Sequence, residues 1–260
     1  MFRLTPVVKN LLIINVVVFI LQSLYSGFTE IVSLWKVGSE NFAPYQFFTY
    51  MFAHGGFGHI LFNMLGLVFL GPLLEQFWGP KRFITFYLIT GIGAGLIYSG
   101  IEYVRMNKLE TQVEEYVMNP TPDNLNIFVD KNSNYFGPAI HDFITEFSKQ
   151  PGNQAYINES KSIVKSLYNQ AYNLGSMLGA SGAVYGILMA FGLLFPNTEL
   201  MLLFPPIPVK AKYLVLVLGV IALYSGLQRN PGDNVAHFAH LGGMIFAFIM
   251  IKYWQSQRNK

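Results

Sequence analysis

The sequence predicts an all-α membrane protein: a bundle of six transmembrane helices with a polar, partly helical extracytoplasmic insertion between the third and fourth. Three observations predict it. Of 260 residues, 52% are hydrophobic and only 12% charged, and the mean hydropathy is +0.38. Apolar runs recur at roughly 7–28, 56–78, 82–101, 174–195, 213–228 and 235–254, several of them near the ~20 residues that a helix needs to cross the hydrocarbon core. The stretch 102–172 breaks that pattern, being polar and holding most of the chain's acids. These boundaries give 1–101 with spans one to three and an embedded first outer loop, 102–172 as the insertion, and 173–260 with spans four to six.

The first run resembles a signal peptide in length, but no small-residue cleavage site follows Gly27, so it reads as a retained span. Short loops set the orientation. With the N-terminus in the cytoplasm, the inner segments carry Arg3, Lys9, Lys81, Arg82, Lys210, Lys212, Lys252, Arg258 and Lys260, whereas the short outer loops carry Lys36 and Arg229. That asymmetry satisfies the positive-inside rule. It predicts a multi-pass protein of the bacterial inner membrane with both termini cytoplasmic.

Three spans from a cytoplasmic start put the insertion outside. Inside it, Val113, Tyr116 and Val117 share one helical face, as do Ile140, Phe143, Ile144 and Phe147, and again Ile163, Val164, Leu167, Tyr168 and Ala171. "NPTPDN" and "QPGNQ" read as turns. The insertion is expected either to stabilise the bundle or to select substrates by their outer segments. There are no cysteines, which excludes disulfides, thiolate catalysis and cysteine metal sites. A net charge of +3, scattered along the chain, does not suggest nucleic acid.

Polar groups at membrane depth are functional candidates. The second span holds "HILFN", with His59 and Asn63 four apart on one face. In the fourth, "LGASGAVYG" places Ser181 and, one turn on, Tyr185. The sixth holds "AHFAHLGG", with His237 and His240. Spans two, four and six all enter from the outside, and at ~1.5 Å per residue His59, Ser181 and His240 fall in one outer layer. Gly175, Gly179, Gly182 and Gly186 on the fourth span, with Gly243 and Ala247 on the sixth, allow close helix approach. Taken alone these glycines are packing residues; beside a serine and a histidine they allow a short hydrogen bond.

A serine hydroxyl needs a base within hydrogen-bond reach to act as a nucleophile, and His240 is placed to be that base and then to protonate the leaving amine. The Ser181 N–H, His59 and Asn63 can stabilise the oxyanion, and Tyr185 can pack on the imidazole. Without such chemistry Asn63 and His59 are interhelix hydrogen-bonding residues and Tyr185 is core. No carboxylate stands beside His240 in its span; Asp233 lies two turns away near the mouth. This is a dyad rather than a triad. Periodicity alone does not separate His237 from His240, but the deeper residue matches Ser181 better.

"GASGAVYG" resembles the G-x-S-G-x-x-Y-G signature of the rhomboid family of intramembrane serine proteases. "HGGFGHILFN" is similar to that family's second-helix motif and "AHLGG" to its sixth-helix histidine motif. The similarity covers all six spans and leaves the insertion unmatched. The resemblance implies Ser181 as nucleophile, His240 as base, His59 and Asn63 at the oxyanion-stabilising positions, Tyr185 against the histidine, and Glu75 as a structural acid closing the second span. It implies cleavage of transmembrane-anchored protein substrates within or near their spans, in the lipid bilayer, with no cofactor and no metal.

Many members carry a Trp-Arg pair in the first outer loop, where this chain has Tyr45-Gln46 in an otherwise aromatic stretch. Other classes fit less well. A soluble α/β-hydrolase requires G-x-S-x-G, but Ala183 occupies the last position. A zinc peptidase requires H-E-x-x-H, which is missing. A solute transporter would carry charge deep in the bundle. A non-catalytic rhomboid-like protein that binds client helices is the alternative, although such relatives have usually lost the serine or histidine.

Overall fold

The computed structural model describes residues 3–173, 175–201, 206–228 and 235–258. Leu174, Arg229, Asp233 and Lys260 lie outside the described residues. The chain is mostly helical. In order, the helices are α1 (Pro6–Leu24), α2 (Phe28–Val32), α3 (Gln46–Thr49), α4 (Phe57–Trp78), α5 (Pro80–Met118), α6 (Pro122–Lys131), α7 (Ala139–Lys149), α8 (Gln154–Asn173), α9 (Ser181–Leu194), α10 (Ala211–Gln228) and α11 (His237–Arg258). One antiparallel hairpin, β1 (Glu199–Met201) with β2 (Pro208–Lys210), sits between α9 and α10. Among the described residues four helices are long and apolar enough to cross a bilayer, namely α1, α4, α5 and α10, while α9 is apolar but shorter. This is an integral membrane protein with several apolar helices.

The chain divides into two compact units. One comprises 1–35, 41–100 and 176–260, and the other 36–40 and 101–175. In the first unit, α9 lies at the centre. It packs on α11, α4 and α10 and buries Gly182, Ala183, Val184, Gly186, Ile187, Ala190, Phe191 and Gly192, so apolar residues occupy all its faces. The remaining helices show lipid-type exteriors, with Val217, Val220, Ile221 and Leu227 of α10 exposed. Exposed apolar side chains of this kind suit a hydrocarbon solvent and would be a liability in water.

The second unit has its own core. Met106, Leu109, Val113 and Tyr116 of α5 meet Leu125 and Phe128 of α6, Ile144 and Phe147 of α7, and Val164 and Leu167 of α8. Tyr116 donates a buried hydrogen bond of 2.6 Å to Ser160, whose hydroxyl donates to the Ile157 carbonyl at 2.8 Å.

Three elements depart from the sequence expectation. The third apolar run does not end near 101 but continues as one 39-residue helix to Met118. The reason is that Met106, Leu109, Val113 and Tyr116 keep the helical period, and no breaker arrives before Asn119-Pro120. "NPTPDN" is more than a turn: Thr121 accepts the Asn124 N–H at 3.2 Å and Pro122 occupies the first helical position, so the segment starts α6. The fourth run, expected from 174, becomes helical only at Ser181. Met177, ahead of it, is instead paired in a bridge, with Leu34 and Met177 exchanging backbone hydrogen bonds of 2.8 Å in both directions.

Glu75 ties the first span to the second. Its buried carboxylate accepts the Thr5 hydroxyl and the backbone N–H groups of Val7 (3.1 Å) and Val8 (3.0 Å). These are first-turn donors of α1, left without an intrahelical partner and polarised by the helix dipole towards a negative charge. Charge-assisted hydrogen bonds of this kind contribute about 1.5–3 kcal/mol each. Glu75→Gln is therefore expected to lower the melting temperature in detergent by several degrees, and Thr5→Val by less. An unchanged melting temperature for Glu75→Gln would show that the carboxylate does not cap α1.

Candidate active site

Three helices of the first unit place polar residues at the same end. His59 is the third residue of α4, Ser181 the first of α9, and His240 the fourth of α11. Each lies within the opening turn of its helix. Because α9 starts at Ser181, the N–H groups of its first turn have no carbonyl a turn behind them and form a positively polarised end.

The Ser181 Oγ and His240 Nε2 are 2.9 Å apart, a hydrogen-bond distance, and His240 is buried. Tyr185, one turn along α9, stacks on the imidazole with ring centroids 4.1 Å apart and planes 10° from parallel. That contact holds the ring in the plane that aims Nε2 at the hydroxyl. His237 meets His240 edge-on at 6.1 Å; of the two histidines, His240 is the one at the serine. The arrangement depends on α9 and α11 touching through backbone. A Cβ on Gly243 would overlap the Gly182 carbonyl, so only glycine allows this approach.

His59 faces the same space. Its Nδ1 accepts the Gly55 N–H at 3.2 Å, which leaves the proton on Nε2 and makes that atom a donor. Gly179, at φ +126°, lies against it: a Cβ there would come within 2.7 Å of His59 Nε2 and 3.7 Å of Ser181 Oγ. A side chain at 179 would thus fill the gap between donor and hydroxyl. Asn63, also buried, donates to the His59 carbonyl at 3.0 Å, and its other amide hydrogen is uncommitted among the described residues. The four polar groups named from sequence therefore lie at one end of α4, α9 and α11, with Tyr185 behind the imidazole. Among the described residues no three His, Asp or Glu side chains group as metal ligands would.

One residue escaped the sequence reading. His54 is buried, with its ring edge-on to His59 at 5.1 Å. Gln22 holds its backbone from both sides, accepting from the His54 N–H at 2.9 Å and donating to its carbonyl at 3.3 Å. His54 opens the same "HGGFGHILFN" stretch as His59, so a signal was present, but it lies outside the span where polar residues attract attention. Gln46 is the other surprise. Its buried amide donates to the Asn41 carbonyl at 2.9 Å and accepts the Trp35 and Ala43 N–H groups at 3.2 Å each. At a position where many members of the resembled family carry arginine, a neutral side chain staples the loop between α2 and α3.

A helical membrane bundle with a serine and an imidazole in hydrogen-bond contact, beside convergent donors, defines a class of membrane-embedded site suited to acyl transfer. The comparisons agree on the family. The Rhomboid domain model matches residues 41–107 and 157–256, and the chain belongs to the rhomboid family. It is similar to "RHOMBOID-like protein 12, mitochondrial" of Arabidopsis thaliana, 24% identical over 94% of this chain and 56% of that protein. It is 31% identical to "Putative rhomboid protease YdcA" of Bacillus subtilis over 35% of this chain and 47% of that protein. "Inactive RHOMBOID-like protein 8" of Arabidopsis thaliana is 34% identical over 24% of this chain and 18% of that protein. The chain thus spans about half the length of the first two relatives.

Burial, then the neighbouring His59 ring, pushes the His54 pKa down to about 4, against a weaker opposing pull from the Phe52 carbonyl. A histidine depressed below its unfolded value of ~6.5 contributes full stability above that pH and loses it as the pH falls towards the folded value. The His54 contribution, on the order of 3 kcal/mol, is expected to vanish between about pH 6.5 and 4. Thermal unfolding of wild type and His54→Gln across this window checks it. The variant should show the shallower pH dependence; parallel curves would contradict the assignment.

Proposed function

We propose that this protein is an intramembrane serine endopeptidase that cleaves transmembrane-anchored proteins within or next to their spans. The observation that carries this reading is the 2.9 Å contact between Ser181 Oγ and His240 Nε2 at the buried end of α9. Ser181 attacks the scissile carbonyl while His240 takes the hydroxyl proton. The tetrahedral oxyanion is held by the free N–H groups opening α9, by His59 Nε2–H and by Asn63. His240 then returns its proton to the leaving amine, and an acyl-serine remains. Water deprotonated by the same imidazole hydrolyses that ester and restores Ser181. Tyr185 keeps the imidazole aligned throughout.

The proposed topology has six spans, with α9 and α11 added to the four longer helices, and both termini in the cytoplasm of a bacterial cell. The placement of Lys and Arg in the short loops supports it. By the same parity, 102–172 is outside, and the site opens near the outer surface, where water is at hand for hydrolysis. The similarity to a relative named as inactive favours a second reading, a non-catalytic member that binds client helices. Ser181 and His240, both present and in contact, favour the first.

Purified protein in liposomes, given labelled single-span substrates, tests this. Ser181→Ala should abolish cleavage with the fold intact, and His240→Ala should lower it by several orders of magnitude, while His237→Ala keeps it. His59→Ala and Asn63→Ala should each lower kcat about 10²–10³-fold. Wild-type cleavage by Ser181→Ala would sink the mechanism, and loss in His237→Ala with retention in His240→Ala would move the base.

A further inference from the structure

An apolar groove of the first unit lies away from the serine. It has a volume of about 380 Å³ and lies where α9, α10 and α11 converge, with Met189 and Leu193 of α9, Met244 of α11 and Gly219 and Leu223 of α10 in its wall. Its walls are hydrocarbon apart from one charged side chain, Lys212. Water inside would find almost no partner, so at membrane depth the groove is filled by something apolar.

Its dimensions limit the occupant. Along α10 the wall runs from Lys212 to Leu223, which at 1.5 Å per residue is ~16 Å, close to half of the ~30 Å hydrocarbon core. A single leaflet has that depth. A hydrocarbon-walled groove of one-leaflet length suits a single extended acyl chain. Methionines in the wall let the groove adapt to a kinked chain.

Charge chooses the head group. Lys212 is the second residue of α10, a helix long enough to span a bilayer, and is exposed where such a helix meets the interface. Its ammonium lies 5.1 Å from the ring centroid of Tyr213; lysine and tyrosine together are typical of the head-group layer. Lys210 stands opposite Glu199 in the hairpin, whereas Lys212 has no acidic partner among the described residues. We infer that this groove is a binding site for one anionic phospholipid, with an acyl chain between α9, α10 and α11 and its phosphate on Lys212. The site is separate from the serine chemistry and does not depend on it.

Native mass spectrometry of the full protein in mild detergent, offered equimolar dioleoyl phosphatidylglycerol and dioleoyl phosphatidylcholine, tests the inference. Wild type should retain one phosphatidylglycerol with about fivefold preference, the contribution of one interfacial lysine. Lys212→Gln, an exposed change that leaves the fold alone, should bring the preference close to one. Gly219→Leu should reduce retention of both lipids, because its side chain enters the groove and meets only the flexible end of Met244. Inorganic phosphate at millimolar concentration should not displace the lipid. Failure of wild type to retain lipid, equal retention of both lipids, an unchanged preference in Lys212→Gln, full binding by Gly219→Leu or displacement by phosphate alone would each overturn it.

Discussion

Everything at the candidate site depends on two helices meeting backbone to backbone. Gly243 of α11 sits on the Gly182 carbonyl of α9 with no room for a Cβ. One turn before Gly243 stands His240, and one residue before Gly182 stands Ser181, so the contact that fixes the helix spacing also fixes the hydroxyl–imidazole distance at 2.9 Å. Gly182 is confined on a further side, where a Cβ would come 2.5 Å from the Ala94 Cβ of α5. Lipid tails are as apolar as side chains, so helices in a bilayer gain little from burying hydrocarbon and associate through close packing and hydrogen bonds. Here one contact sets both the packing and the serine–histidine geometry.

The start of α9 is set from outside the helix. Leu34 pairs with Met177, the Gly179 N–H donates to the Tyr50 carbonyl at 2.9 Å, and the Tyr50 hydroxyl donates to the Gly91 carbonyl at 2.6 Å. These bonds hold 177–179 out of helical conformation, and the helix begins at the serine instead of running through it. A helix that began a turn earlier would have its own carbonyls accept the first N–H groups of this turn. The loop between α2 and α3, stapled by Gln46, is therefore part of what leaves donors near Ser181.

Much of this was legible in the sequence, for reasons that differ by element. Apolar runs identify membrane helices because lipid permits few alternatives, and Ser181, His59 and His240 were conspicuous because polar residues are rare in such runs. The glycine spacing around Gly182 and Gly243 announced close packing. What stayed hidden follows from long-range pairing. Met177 and its neighbours are as apolar as the helix they precede, and the backbone bonds of Met177 with Leu34 and of Gly179 with Tyr50 keep them out of it. His54 looked like a loop residue, since its burial depends on Gln22, far away in α1. α5 ran past its expected end because its second half changes the character of its stripe without changing its period.

The account stands on Ser181 being an activated nucleophile. Its most direct measurement is covalent: react the detergent-purified protein with a fluorophosphonate and locate the adduct by peptide mass spectrometry. The account predicts one adduct, on Ser181, formed by wild type and His237→Ala but not by His240→Ala. An adduct elsewhere, none at all, or equal labelling of Ser181 without His240 would contradict it.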